Sequence, residues 1–275
     1  MGVFNCYTIL MNIDDRFDDS VSKRWKVSQI GKGHVVRRQQ ALWLTLPQID
    51  ATAYSNAQIS DYDPANRRFR YKPPIRLTIR ARASAPAHQL RGTAGFGFWN
   101  HPFAPNERGF RLPQAVWFFF ASPQSNISLA KDVSGSGWKA AIMDARRWQF
   151  LTLLPTAPIG FLLMRIPYLY DRLWGIGQQA LGVSEARLDG NLLAESHTYE
   201  LVWRKDSVVF AVDNRVVHQA ITAPSQPLGF VAWMDNQFAV VTPQGQFKFG
   251  LVDVTQEQSL VIERIAIQPL PRDDT

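Results

Sequence analysis

The 275-residue chain predicts an all-β fold, a sandwich or jelly roll, on three observations. Short apolar runs recur along most of its length, and Gly, Pro, Asn and Asp stand between many of them. From Ile75 to Ala83 apolar residues alternate with Arg76, Thr78, Arg80 and Arg82, the two-residue period of a half-buried strand. The close spacing of these runs suits an antiparallel sandwich better than βαβ units. Composition agrees: 46% apolar and 19% charged residues describe a packed globule and exclude a disordered chain. The aromatic share is conspicuous, with 9 Trp, 7 Tyr and 17 Phe. A single cysteine, Cys6, excludes a disulfide framework and a multi-cysteine metal site.

In chain order, strands are predicted at 24–30, 35–46, 54–61 and 68–83, then at 92–100, 113–122 and 126–131. After an interruption they resume at 198–204, 207–213, 215–220, 227–235 and 259–268. Asp213-Asn214 separates two valine-rich runs and reads as a hairpin turn. No internal repeat or linker divides residues 1–275, which predicts a single domain. The interruption lies at 150–182. Its first part is strongly apolar, but Pro155 and Pro158 break it and Arg165 ends it, too soon for a membrane-spanning helix of about 20 residues. Its second part reads as a helix begun by Pro167, with Leu169, Leu173, Ile176 and Ala180 on one face. Three readings stay open for it: a helix packed on the sandwich, a lid over a ligand cleft, or an interfacial membrane contact.

The net charge is +7. A basic balance permits anionic partners without identifying one. Zinc-finger, helix-turn-helix and RNA-binding aromatic motifs are all missing, which argues against nucleic acid. The arginine stripe 76–82 is either a solvated sheet face or a phosphate or lipid-headgroup footprint. Met1 to Cys6 lacks the pattern of a secretory signal, and Cys6 stands where a myristoylation signal wants Ser or Thr, so a cytoplasmic, possibly membrane-associated protein is expected.

The last third carries a resemblance. His197-Thr-Tyr-Glu-Leu-Val-Trp203 followed by 208–218 with Phe210, Val212 and Asp213, then Pro227-Leu-Gly-Phe-Val-Ala-Trp233 and the closing run 260–267, is similar to a signature of family 16 glycoside hydrolases. Upstream, Tyr54-Ser-Asn-Ala-Gln-Ile-Ser60, Phe69-Arg-Tyr71 and Gly95-Phe-Gly-Phe-Trp-Asn100 resemble earlier segments of the same family in the same order. The matches cover 35–100 and 196–268. The resemblance implies a concanavalin A-like jelly roll of two curved antiparallel sheets with a ligand cleft on the concave one.

It also implies a pair of carboxylates about 5–5.5 Å apart for retaining hydrolysis, on a strand following Trp99. The chain departs from the family here: the candidate strand 112–122 holds no Asp or Glu, and neither Glu-x-Asp-x-x-Glu nor its shorter form occurs anywhere. In place of the acids stand alternating apolar sets, Val116, Phe118 and Phe120 or Ala115, Trp117 and Phe119, one of which faces the cleft. The expected function is therefore non-hydrolytic binding of a small apolar or amphipathic ligand in an aromatic cleft, by Trp99, Trp117, Phe119 and Trp233 with Asn56 and Asp235 as polar anchors. A glycan-binding, lectin-like module is the alternative, and a cleft face that is simply core is a further one. A third reading makes Asp235 the acid of a different enzyme class in an apolar pocket, although an ordinary turn aspartate fits the same residue. Dispersed histidines and the lack of a phosphate-binding loop or a Gly-x-Ser-x-Gly elbow imply no metal, no cofactor and no nucleophilic serine.

Overall fold

The computed structural model describes residues 12–18, 21–63, 68–102 and 111–271; Cys6 lies outside them. The strands are β1 (Ile13–Asp15), β2 (Lys26–Ile30), β3 (His34–Arg38), β4 (Ala41–Leu46), β5 (Asn56–Ser60), β6 (Ile75–Ala83), β7 (Thr93–Trp99), β8 (Gln114–Ala121), β9 (Asn126–Ile127) and β10 (Gly137–Asp144). Three helices follow, α1 (Trp148–Leu153), α2 (Ala157–Leu163) and α3 (Pro167–Ala180). The chain closes with β11 (Ser184–Arg187), β12 (His197–Trp203), β13 (Val208–Val212), β14 (Arg215–Ala220), β15 (Gly229–Asp235), β16 (Gln237–Val241), β17 (Phe247–Leu251) and β18 (Gln258–Pro269).

Two antiparallel sheets pack face to face in a jelly-roll sandwich. One runs β14-β13-β12-β6-β18-β4-β3, with β1 also paired to β18; the other runs β11-β10-β8-β7-β15-β5-β2. Alternation places one side of each strand in the core between them. On β6, Ile75, Leu77, Ile79, Ala81 and Ala83 are buried while the arginines and Thr78 face outward; Arg80 pairs with Glu263 at 2.8 Å. Rings from the two sheets meet in that core: Phe98 lies 5.5 Å from Trp203 and Phe118 5.1 Å from Tyr199. Such large side chains each remove apolar area from water at about 25 cal/mol per Å², so this core is the main stabilising contribution.

Local chemistry shifts several predicted boundaries. The run 35–46 is a hairpin, because Gln39 and Gln40 both take positive φ and turn the chain between β3 and β4. The run 68–83 starts as a strand only at Ile75: Tyr71 makes an isolated bridge to Leu228, and Pro73 and Pro74 lack the N–H a ladder needs. Of 126–131 only the two residues of β9 are extended. Asp213 and Asn214 do form the hairpin turn, both at positive φ. Not foreseen are β1, β10, β11 and the β16–β17 hairpin, which joins β9 in a small third sheet. In the insertion, the prolines sit where helices start, Pro158 in the first turn of α2 and Pro167 in that of α3. The inward face of α3 differs from the predicted one. It is led by Trp174 and Ala180, whereas Ile176 is exposed, because the Trp174 indole reaches in to donate to the Leu129 carbonyl at 3.0 Å.

Candidate functional site

The seven-stranded sheet turns its second side away from the core, and alternation decides which residues stand there. On β8 the set is Ala115, Trp117 and Phe119; Val116, Phe118 and Phe120 belong to the core. On β7 the outward residues are Thr93, Gly95, Gly97 and Trp99, and on β15 they are Val231, Trp233 and Asp235. Register then brings the rings together, since Gly95 pairs with both Phe119 and Trp233, and Gly97 with both Trp117 and Val231. The two bare positions make room for the neighbouring rings. A Cβ on Gly95 would stand 2.4 Å from the Phe118 carbonyl oxygen and 2.9 Å from Cη2 of Trp233. A Cβ on Gly97 would stand 2.4 Å from the Val116 carbonyl oxygen and 2.7 Å from the Trp117 Cβ.

The four predicted ring residues thus form one cluster. Trp117 lies 5.3 Å from Trp233, 5.4 Å from Phe119 and 5.9 Å from Trp99, and Trp99 stacks parallel to Trp233 at 6.4 Å. Phe119 and Trp233 are buried, whereas Trp99 and Trp117 keep part of their surface open. Two shallow hollows among the described residues, of about 350 and 280 Å³, lie elsewhere, and neither is lined by any of the four rings. The cluster is a platform rather than the wall of either hollow.

Polar groups edge the platform. Asn56 and Gln58 on β5 pair in register with Asp235 and Trp233 and share their face. The Thr93 hydroxyl donates to Asp235 Oδ1 at 2.8 Å, and the Trp233 indole N–H donates to Thr93 Oγ1 at 3.0 Å. Asp235 Oδ1 also accepts from the Gln237 amide at 3.1 Å, the two-residue reach of an Asx turn. Oδ2 accepts from the Tyr54 hydroxyl, which in turn accepts from Asn56 Nδ2 at 2.7 Å. Asp235 thus has its hydrogen bonds met within this corner of the sheet. It turns the chain between β15 and β16, and burial pushes its carboxyl up to about 6 while these hydrogen bonds pull it down. Asn56 Oδ1 is buried without a partner on this face. At the far end, the Trp99 indole donates to the Tyr62 hydroxyl, which sits 3.1 Å from His101 Nδ1.

The other end of the same sheet face is closed. Lys139 on β10 is fully buried, with Nζ donating to the Ile127 carbonyl at 3.0 Å and pairing with Glu185 at 3.3 Å. Leu129, Ala130 and Val183 pack over this end together with Leu181 and Met143. Sequence reasoning missed this pair. Lys139 sits in an otherwise apolar run, which was the available signal.

No protein-family model matches the sequence, and no curated protein matches it. Solved structures do match in shape. A prokaryotic β-1,3-1,4-glucanase (lichenase) derived from a mouse hindgut metagenome aligns with a TM-score of 0.53 at 12% identity, over 94% of this chain and 100% of that one. A structure described with endo-acting O-glycanases of the human gut microbiota reaches 0.54 at 10% identity, over 94% and 99%. The carbohydrate recognition domain of Emp47p reaches 0.51 at 12% identity, over 94% and 95%. At these identities the likeness establishes the fold, and it is the jelly roll that the sequence resemblance implied.

Proposed function

We propose that this protein binds a glycan without hydrolysing it, on the platform of Trp99, Trp117 and Trp233. A pyranose ring is itself amphipathic, with an apolar C–H face and hydroxyls around its edge. The partly open indoles of Trp99 and Trp117 are suited to the face, and the amides of Asn56 and Gln58 stand on the same sheet face to meet the edge. The observation that carries the reading is the partly exposed indole cluster sharing one sheet face with Asn56 and Gln58. Structural neighbours described as glucanases and as a carbohydrate recognition domain support the ligand class. The absence of any carboxylate on β8 and the hydrogen bonds that tie up Asp235 favour binding over cleavage.

Isothermal titration against β-glucan and O-glycan oligosaccharides tests this, alongside Trp117→Ala. Saturable binding to one class that falls about tenfold or more in Trp117→Ala, with no release of reducing ends, is the expected result. A second reading, binding of an apolar molecule, draws on the cluster's continuation through Val231 and Ala121 to Ile127. Extraction of a hydrophobic compound from the purified protein, with no glycan bound, would favour it.

A further inference from the structure

We infer that the outer face of the helical insertion docks onto an anionic lipid surface, from the juxtaposition of an uncovered apolar stretch with a basic rim almost free of carboxylates. α1 and α2 bury no residue at all. Trp148 is 69% exposed, Ile159 64%, Leu162 63% and Ile166 51%. The stretch continues onto β17: Phe161 of α2 meets Phe247 at 6.0 Å, and Phe247 and Phe249 are 59% and 62% exposed. Single exposed leucines are ordinary on protein surfaces, but so many large apolar side chains on adjoining elements mark a contact surface.

Charge selects the occupant. Arg146, Arg165, Arg172 and Lys248 are exposed on these segments. Residues 145–182 contain one carboxylate, Asp171, and Lys131 holds it at 2.8 Å; residues 237–251 contain none. A second copy docked through the same face would set cations against cations, which disfavours self-association. A bilayer with acidic headgroups meets both halves of the pattern, apolar chains below and phosphates or carboxylates at the rim. Trp148 and the exposed Tyr168, with the Arg172 guanidinium 4.7 Å over its ring, are the amphipathic rings found at headgroup depth. Among the described residues no helix is long and apolar enough to cross a membrane, so the insertion lies in the interface plane.

Vesicle flotation tests this with the full chain, using phosphatidylcholine vesicles with and without roughly a third phosphatidylserine. The protein is expected to float with the anionic vesicles, more weakly with the neutral ones, and to release at high salt. Ile159→Glu/Leu162→Glu, at two exposed positions, should keep the unfolding midpoint and lose vesicle affinity by about a hundredfold. Arg165→Gln/Arg172→Gln should weaken binding to the anionic vesicles only. Flotation of the glutamate variant as strong as that of the unaltered protein overturns the inference. So does equal binding to both vesicle types, failure to bind either, or a solution dimer that the same variant breaks. The glutamate and glutamine variants leave Trp99, Trp117 and Trp233 unaltered, so loss of vesicle binding with glycan binding retained, or the reverse, tells the failure of one proposal from that of the other.

Discussion

Gly95→Ala probes the geometry on which the platform depends. Gly95 lies between Phe119 and Trp233, and an added methyl would meet the Phe118 carbonyl oxygen at 2.4 Å and Trp233 Cη2 at 2.9 Å. The ring could swing away, but the carbonyl belongs to the paired strand β8 and moves only if the β7–β8 ladder opens. Overpacking of this kind costs about 1–3 kcal/mol, and the backbone clash places the cost at the upper end. At about 2–4 °C per kcal/mol for a domain of this class, the thermal midpoint should fall by about 5–10 °C. Displacement of Trp233 should also weaken ligand binding and alter the near-ultraviolet circular dichroism of the indoles. Gly175→Ala is the control. It sits inside α3 with nothing within 4 Å of its missing Cβ, so alanine should add about 0.5–1 kcal/mol of stability. If Gly95→Ala melts within about 1 °C of the unaltered protein, the indoles do not close over that strand and the platform is wrongly drawn.

Three further outcomes follow from buried charge. Burial holds the Asp235 carboxyl near 6 in the folded protein, above its ordinary 3.8. The folded state therefore binds this proton more tightly than the unfolded chain, and stability falls as pH rises from 3.8 to 6, then stays lower by roughly 2–3 kcal/mol. Asp235→Asn, which cannot ionise, should unfold at higher urea than the unaltered protein at pH 7.5 and show little gain at pH 4. Lys139→Met leaves Glu185 buried and unpaired, and should cost about 3–5 kcal/mol in chemical denaturation. The double variant Lys139→Met/Glu185→Leu removes both charges from the same apolar layer and should recover most of that loss.

The platform was legible in the sequence because β-strand alternation is strict and the local punctuation was sound. In Gly95-Phe-Gly-Phe the two glycines share one face and the two phenylalanines the other. The glycine face is the one able to accept large rings from the neighbouring strands, and the structure resolves the choice on β8 accordingly, in favour of Trp117 and Phe119. What stayed illegible depends on distant partners. Lys139 interrupts an apolar run and disguises β10, since its charge is matched by Glu185, 46 residues later, and by a main-chain carbonyl. The inward face of α3 likewise follows from Trp174 reaching the Leu129 carbonyl, whereas Ile176, equally apolar by periodicity, is left outside. The same cause explains why apolarity alone failed for the insertion. A hydrophobic side chain can be inward because the core is there or outward because a second apolar phase is there, and periodicity treats the two alike. The distinction lies in the rim. The two proposals rest on that distinction: outward-facing phenylalanine, leucine and isoleucine beside arginines with scarcely a carboxylate among them would suit a lipid surface, and the rings over Gly95 and Gly97, beside amides and hydroxyls, would suit a sugar edge. Two aromatic-rich faces of one molecule are thus separated by the polar groups at their borders.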